Sequence, residues 1–357
     1  MTKRPLPPLA LALLPLLLAC GDVDRASGGV SDAERDAAIA AALAEIDATD
    51  LFEKVSVLAA DSMRGRFTPS PELEATARWI ASRMQAAGLE PGAADGTYIH
   101  RYTHERFGEG QTAPNVVAIL PGSDPGLAGE YVVYSAHMDH VGVREPEGES
   151  TDSIWNGADD NASGTSTLIE VAEAMASMDP EARPRRSMLF LWVSGEERGL
   201  LGSAAFASDP SVPLESIVAD FNVDMVGRNW TDTIVAIGKE HSDLGATMNR
   251  VNAANPEIGM TAIDDLWPDE NFYRRSDHFN FARRGVPVLF FFNGTHEDYH
   301  EASDEVEKID TGKMARIGRL LFLLGLEVGN ADARPQWDPE SRAEIVEDTG
   351  ATGAPRG

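Results

Sequence analysis

The chain of 357 residues is 43% hydrophobic and 25% charged, which supplies a sizeable globular core and excludes an overall disordered chain. Its formal net charge of -28 argues against nucleic acid as a partner, because such binding depends on Lys and Arg neutralising phosphates. A soluble acidic surface accounts for the charge.

Lys3 and Arg4 precede the apolar run Leu9 to Leu18, which is too short and Pro-interrupted for a membrane span and suits the apolar core of a signal peptide. The run ends in Leu17-Leu18-Ala19-Cys20-Gly21, which resembles a bacterial lipobox. That resemblance implies removal of residues 1–19 and lipidation of Cys20. The single cysteine agrees, since an exported chain gains little from a thiol without a disulfide partner. The expectation is an extracytoplasmic body in a bacterial cell envelope, held to the membrane by its lipid. Residues 20–30 read as a tether, 31–329 as a single domain with N-terminal helices, and 330–357 as a loose polar tail.

Asp32 to Ile46 predicts an Ala-rich helix, and Pro71 to Ala87 an amphipathic one that stops at Gly88. Tyr98 to Phe107 alternates like a strand, and Asn115 to Leu120 and Tyr131 to Ala136 are apolar strands. From there the two patterns interleave. Helices are expected at Ala162 to Met178, Leu200 to Ala207, Leu244 to Ala254, His278 to Arg284 and Lys313 to Val328. Strands are expected at Ser187 to Val193, Ile217 to Val223, Ile234 to Ile237 and Val286 to Phe292. Such alternation predicts an α/β fold, a mostly parallel mixed sheet flanked by helices on both faces.

Ligands of open α/β sheets gather beyond the carboxyl ends of the strands. His137, Glu196-Glu197, Asp224 and the segment His296 to His300 each follow a predicted strand, and the acidic turn Gly157 to Gly164 lies among them. Clustered carboxylates near a core are costly to desolvate, and Arg198 is the only Lys or Arg adjoining the acidic turn, His137 to Asp139 and Glu196-Glu197. A multivalent cation supplies the compensation. With two ions, Asp159 can bridge, His137 and Glu197 can complete one site, and Asp224 and His300 the other. Mixed imidazole and carboxylate donors suit zinc better than magnesium or calcium.

Glu196 is then free to act as general base, taking a proton from the attacking water and passing it to the leaving amine. Asp139 is placed to orient the His137 imidazole, and Asp160 to support the turn. The loop Trp267-Pro268-Asp269-Glu270 is a candidate pocket wall, with Asp269 and Glu270 available to a substrate amine, and Tyr299 is a further substrate-facing candidate. His296-Glu297-Asp298-Tyr299-His300 also matches the H-E-x-x-H zinc pattern, which requires a helix, whereas the preceding Phe290-Phe291-Phe292-Asn293-Gly294 reads as strand and turn. Ser276-Asp277-His278 holds triad residue types, but consecutive residues cannot stack in triad order.

With these residues assembled, Leu51 to Val328 resembles the M28 family of zinc aminopeptidases. The matching blocks are Ser135 to His140, Gly157 to Gly164, Ser194 to Ser203, Asn222 to Gly227, Ser276 to His278 and His296 to His300. The resemblance implies a zinc aminopeptidase fold of the phosphorylase/hydrolase-like kind and two Zn2+. Asp159 would bridge, His137 and Glu197 would hold one zinc, and Asp224 and His300 the other, with Glu196 as base. It also implies a cis peptide bond after the bridging aspartate, expected at Asp159-Asp160. The implied substrates are peptides with a free N-terminus. Relatives of this kind also include glutaminyl cyclases, carboxypeptidases and silent peptide-binding ectodomains; a silent lineage is expected to lose ligands, and none is missing here.

Overall fold

The computed structural model describes residues 31–146 and 151–347. The expected signal segment 1–19, Cys20 and the tether to residue 30 lie outside the described residues. Three helices come first, α1 (Asp32–Glu45), α2 (Ala48–Leu58) and α3 (Pro71–Ala86). The strands are β1 (Glu90–Pro91), β2 (Ile99–Tyr102), β3 (Ala113–Leu120), β4 (Tyr131–His137), β5 (Gly142–Val143), β6 (Ile154–Trp155), β7 (Ser187–Val193), β8 (Ile217–Asp224), β9 (Thr233–Ile237), β10 (Thr261–Ile263) and β11 (Val288–Phe292). Between and after them lie α4 (Gly164–Ser177), α5 (Leu201–Ser208), α6 (Leu244–Ala254), α7 (His278–Ala282), α8 (Thr311–Asn330) and α9 (Pro339–Ile345).

The main sheet runs β1-β3-β7-β4-β8-β11-β9-β10, with β2 also on β3. Its centre, β7-β4-β8-β11, is parallel, whereas β3 joins β7 and β9 joins β11 antiparallel. The central strands are apolar in nearly continuous runs because both faces are covered. On β7, Met188, Phe190 and Trp192 enter the larger core while Leu189, Leu191 and Val193 enter the smaller one. On β11 the same period of two sends Leu289 and Phe291 one way and Phe290 and Phe292 the other. Buried residues of α1, α2, α3, α4, α6 and α8 fill the larger core, and those of α5, α7 and α9 the smaller.

Three local expectations change. The chain folds a helix, α2, that was not expected, with Asp47 capping Thr49 N and Leu51, Val55 and Leu58 buried on one face. The alternating segment Tyr98 to Phe107 is strand only over β2, and His104 then caps a single turn at Glu105–Phe107 before Gly108, at φ 92, turns the chain. The stretch after residue 330 is not a loose tail through residue 347. Trp337 Nε1 donates to Gly285 O at 2.9 Å, Asp338 caps α9, and Ile345 is buried in the smaller core. Apolar anchors spaced along a polar segment are enough to dock it. Among the described residues no helix is long and apolar enough to cross a membrane.

Candidate metal centre and active site

The four parallel strands set the site. His137 ends β4 and Asp224 ends β8; Glu196 and Glu197 follow β7, and His300 follows β11. In register, His137 lies beside Val193, and Asp224 beside Phe292, so neighbouring strand ends present these groups to one edge. The acidic turn arrives from Ala158–Ser163, before α4. It starts at Gly157, at φ 59, where a Cβ would stand 2.2 Å from the Asp160 carbonyl oxygen and 2.4 Å from the His140 ring. Only glycine fits that approach.

Two groups of donors result. His140, Asp160, Glu197 and His300 form one; His137, Asp160 and Asp224 form the other; in each, the donor atoms lie within 4.8 Å of one another. Asp160 belongs to both. Its Oδ1 lies 3.3 Å from His137 Nε2, and its Oδ2 lies 3.0 Å from His300 Nε2 and 3.7 Å from His140 Nδ1. Glu197 stands between the two imidazoles of its group, at 2.9 Å from His140 Nδ1 and 3.0 Å from His300 Nε2. In the other group Asp224 Oδ1 lies 3.2 Å from His137 Nε2, and Ser276 Oγ donates to Asp224 Oδ2 at 3.0 Å.

This geometry corrects the expected roles. Asp159 is not the shared carboxylate: its Oδ1 accepts from Gly227 N at 2.6 Å and its Oδ2 lies 3.1 Å from His296 Nε2. Adjacent side chains on this turn point apart, so moving the bridge by one residue moves it to the other side of the chain. The cis peptide bond is accordingly Asp160-Asn161, not Asp159-Asp160. The partners also exchange: His137 sits with Asp224 rather than Glu197, and His300 with Glu197 rather than Asp224. Strand adjacency alone does not decide this, since β4 lies between β7 and β8; the loops after β7 and β11 bring Glu197 and His300 together. His140, only three residues past His137, was overlooked as a donor.

The donors fit a metal. Asp160, Glu197 and Asp224 are buried carboxylates whose close cationic partners are imidazoles. Burial lowers His300, but hydrogen bonds to Asp160 and Glu197 outweigh it and push the imidazole up to about 10. Burial likewise opposes the charge on His137, yet Asp224 and Glu196 hold it well above the ordinary range. Both rings thus take up protons to balance the carboxylates, and a divalent cation would displace those protons. His140 Nε2 is buried without a hydrogen-bond partner, so nothing else pins that ring's far edge.

Glu196 lines the cleft beside His137, Asp160 and Asp224. Desolvation pushes its carboxyl well above the usual range and Glu197 adds to the push, while His137 pulls it down. Asp139 has a different task from the one expected. Its carboxylate stays 3.8 Å from His137 Nδ1, which lies nearer the Asp139 carbonyl oxygen at 3.2 Å. The carboxylate instead accepts from Thr68 Oγ1 at 2.8 Å, Gly195 N at 2.7 Å and Glu196 N at 3.3 Å. It positions the loop that carries the two glutamates.

Arg66 binds the loops together and was not anticipated. Fully buried, it donates to the carbonyl oxygens of Met138 at 2.9 Å, Asn156 at 2.7 Å and Gly157 at 3.0 Å, and to Leu58 O at 2.6 Å. Asp304 was also missed; it accepts from the backbone N–H groups of Asp159 and Asp160 at 3.0 and 3.1 Å. Neither residue stands next to a recognisable motif.

Of the substrate-facing candidates, Tyr299 lines the cleft and stacks on His300 at 4.0 Å. Asp269 and Glu270 are exposed and belong to neither donor group. Glu297 is exposed and 3.5 Å from Arg228, and His296 and His300 stand on a turn rather than a helix, so the H-E-x-x-H pattern is coincidental here. His278 Nε2 is spent on Tyr273 O at 2.7 Å, which leaves no triad.

An α/β sheet with two joined acid and imidazole groups at its strand ends and a desolvated carboxyl beside them defines a metallopeptidase hydrolase. The model of Peptidase family M28 matches residues 115–324, and the chain belongs to that family. A probable leucine aminopeptidase of Trichophyton verrucosum is 28% identical over 262 residues, covering 72% of this chain and 67% of the relative. Among solved structures, the LapA aminopeptidase of Legionella pneumophila superposes with a TM-score of 0.63 at 22% identity, over 85% of this chain and 77% of the other. The glutaminyl cyclase of Porphyromonas gingivalis shares the fold too, with a TM-score of 0.59 at 17% identity over 78% and 97%.

Proposed function

We propose that the protein is an extracytoplasmic di-zinc aminopeptidase that removes N-terminal residues from peptides. The observation that carries this is Asp160, shared by two donor groups beside Glu196 in one cleft. His140, Asp160, Glu197 and His300 would hold one zinc, and His137, Asp160 and Asp224 the other. Bound there, paired zinc ions supply Lewis acidity toward the scissile carbonyl and a more acidic water. Glu196 takes the proton of the attacking water at its carboxylate and returns it to the departing amine. Thr68 and Asp139 keep the Glu196 loop in place, and the acid-rich cleft favours a substrate's free α-ammonium over a blocked terminus.

The lipobox-like Leu17-Leu18-Ala19-Cys20 supports placement in a bacterial envelope with Cys20 as lipid anchor. Comparing a leucine anilide with its N-acetyl twin tests the aminopeptidase reading. Cleavage confined to the free amine is expected, and equal cleavage of both contradicts it. Cyclisation of an N-terminal glutamine without peptide hydrolysis would instead make the protein a glutaminyl cyclase.

A further inference from the structure

Consecutive arginines at 274 and 275 take different directions. Arg274 is used within the fold: its Nη2 donates to Glu344 at 3.2 Å and its guanidinium lies over Phe279. Arg275 instead lines the cleft that holds His137, Asp160, Glu196 and Asp224, and it is the only lysine or arginine among the described residues there. Its guanidinium carbon sits 4.7 Å from the centre of the Phe272 ring, which also lines the cleft. Stacking on an aromatic face orients the plane and leaves the donor edges open. The next residue, Ser276, hydrogen-bonds Asp224, so the backbone at this point is tied to the donor groups.

The nearest acid, Glu270, is 3.8 Å away, and both side chains are about half exposed or more, at 49% and 63%. An exposed pair at that distance is worth little and is readily exchanged. A carboxylate entering the cleft could meet the guanidinium through two parallel hydrogen bonds in a less hydrated setting, which is a stronger contact. Beside the zinc ions that the donor groups would hold, Arg275 is the one fixed side-chain cation of the lysine or arginine kind at this cleft, and with Glu196 facing the same space it is the group placed to offset a substrate carboxylate away from the metals.

We propose that Arg275 is a specificity-determining residue that selects peptides bearing a carboxylate close to the scissile bond. This rests on the peptidase reading above. Two sources share that chemistry, the side chain of an acidic N-terminal residue and the C-terminus of a dipeptide. Rates on two substrate pairs separate them: glutamyl against glutaminyl anilide, and Leu-Gly against Leu-Gly amide, each with wild type, Arg275→Gln and Glu270→Gln. In one pair the carboxylate-bearing member should be favoured about tenfold or more in kcat/KM, mainly through KM. Arg275→Gln should cost that member at least about tenfold more than its neutral twin, with zinc content unchanged. Glu270→Gln should strengthen the preference. Cleavage of all four without a carboxylate preference, or a preference that survives Arg275→Gln, overturns this inference alone. Failure to cleave any of the four while leucine anilide is hydrolysed also overturns this inference alone; failure on leucine anilide as well overturns the peptidase reading and this inference with it.

Discussion

Arg66 Nη2 donates to the carbonyl oxygen of Gly157 at 3.0 Å, and through the same guanidinium the turn that presents Asp160 is fastened to the Met138 carbonyl beside His137. Four carbonyls satisfy the donors of a cation that would otherwise be costly to bury. The donor groups are thus held in relation by an uncharged backbone cradle, with the neighbouring acids left for metal. Replacing Arg66 by Met removes a donor from each of these carbonyls, of which Gly157 O keeps Ala162 N at 3.2 Å. Urea unfolding should report a loss of about 3–5 kcal/mol, and Arg66→Lys should recover only part, because an ammonium cannot reproduce the fork. Wild-type stability in Arg66→Met would contradict the role.

Asp159 and Asp160 differ by one position and should differ sharply on substitution. Asp160→Asn removes charge from both donor groups and is expected to release most of the bound zinc. Asp159→Asn weakens the contacts to Gly227 and His296 and should keep the metal while lowering stability by about 1–2 kcal/mol. Equal metal loss in the two variants would show that the carboxylates have not been told apart.

Glu196→Gln should retain its zinc and lose activity by about 10²- to 10⁴-fold, the usual worth of a positioned acid-base group. Glu297→Gln, on an exposed side chain outside the cleft, should stay within about twofold of wild type. Steady-state rates with metal content measured on the same samples separate chemistry from metal loss.

Asp220 gives a pH signature away from the donor groups. It is fully buried on β8, Ser135 Oγ donates to its Oδ1 at 2.8 Å, and its Oδ2 has no partner. Burial pushes the carboxyl up to about 8, against ~3.9 in an unfolded chain. The folded form therefore keeps a proton that the unfolded form gives up. Its stability is full below ~4 and falls as pH rises toward 8, levelling off above that. Asp220→Asn keeps the shape without the titration. Its Tm should match wild type near pH ~4 and exceed it progressively up to pH ~8; a gap that does not change with pH would contradict the assignment.

How far the sequence could be read follows from what each feature depends on. Apolar runs ending in His137, Asp224 and the glutamate pair announce strand ends, because ionisable groups are costly inside a buried strand, Asp220 on β8 being an exception. The two-faced sheet followed from the same runs. Pairing of donors depends on where the loops after the strands fold back, and the Glu197 and His300 loops meet although β7 and β11 are not neighbours, which a linear pattern does not encode. Asp159 and Asp160 are equivalent as letters and are separated only by the turn that begins at Gly157. His140 lies in the segment Ser135 to His140 but carries no periodicity of its own. Arg66 acts on backbone carbonyls, which have no sequence signature, whereas α2 does carry helical apolar spacing at Leu51, Val55 and Leu58.

The central claim is that Asp160 joins two donor groups into one dinuclear centre. Elemental analysis of the purified protein after dialysis tests it most directly. About two zinc ions per chain are expected for wild type, with most of both lost in Asp160→Asn. A single zinc in wild type, or full metal content in Asp160→Asn, would contradict it.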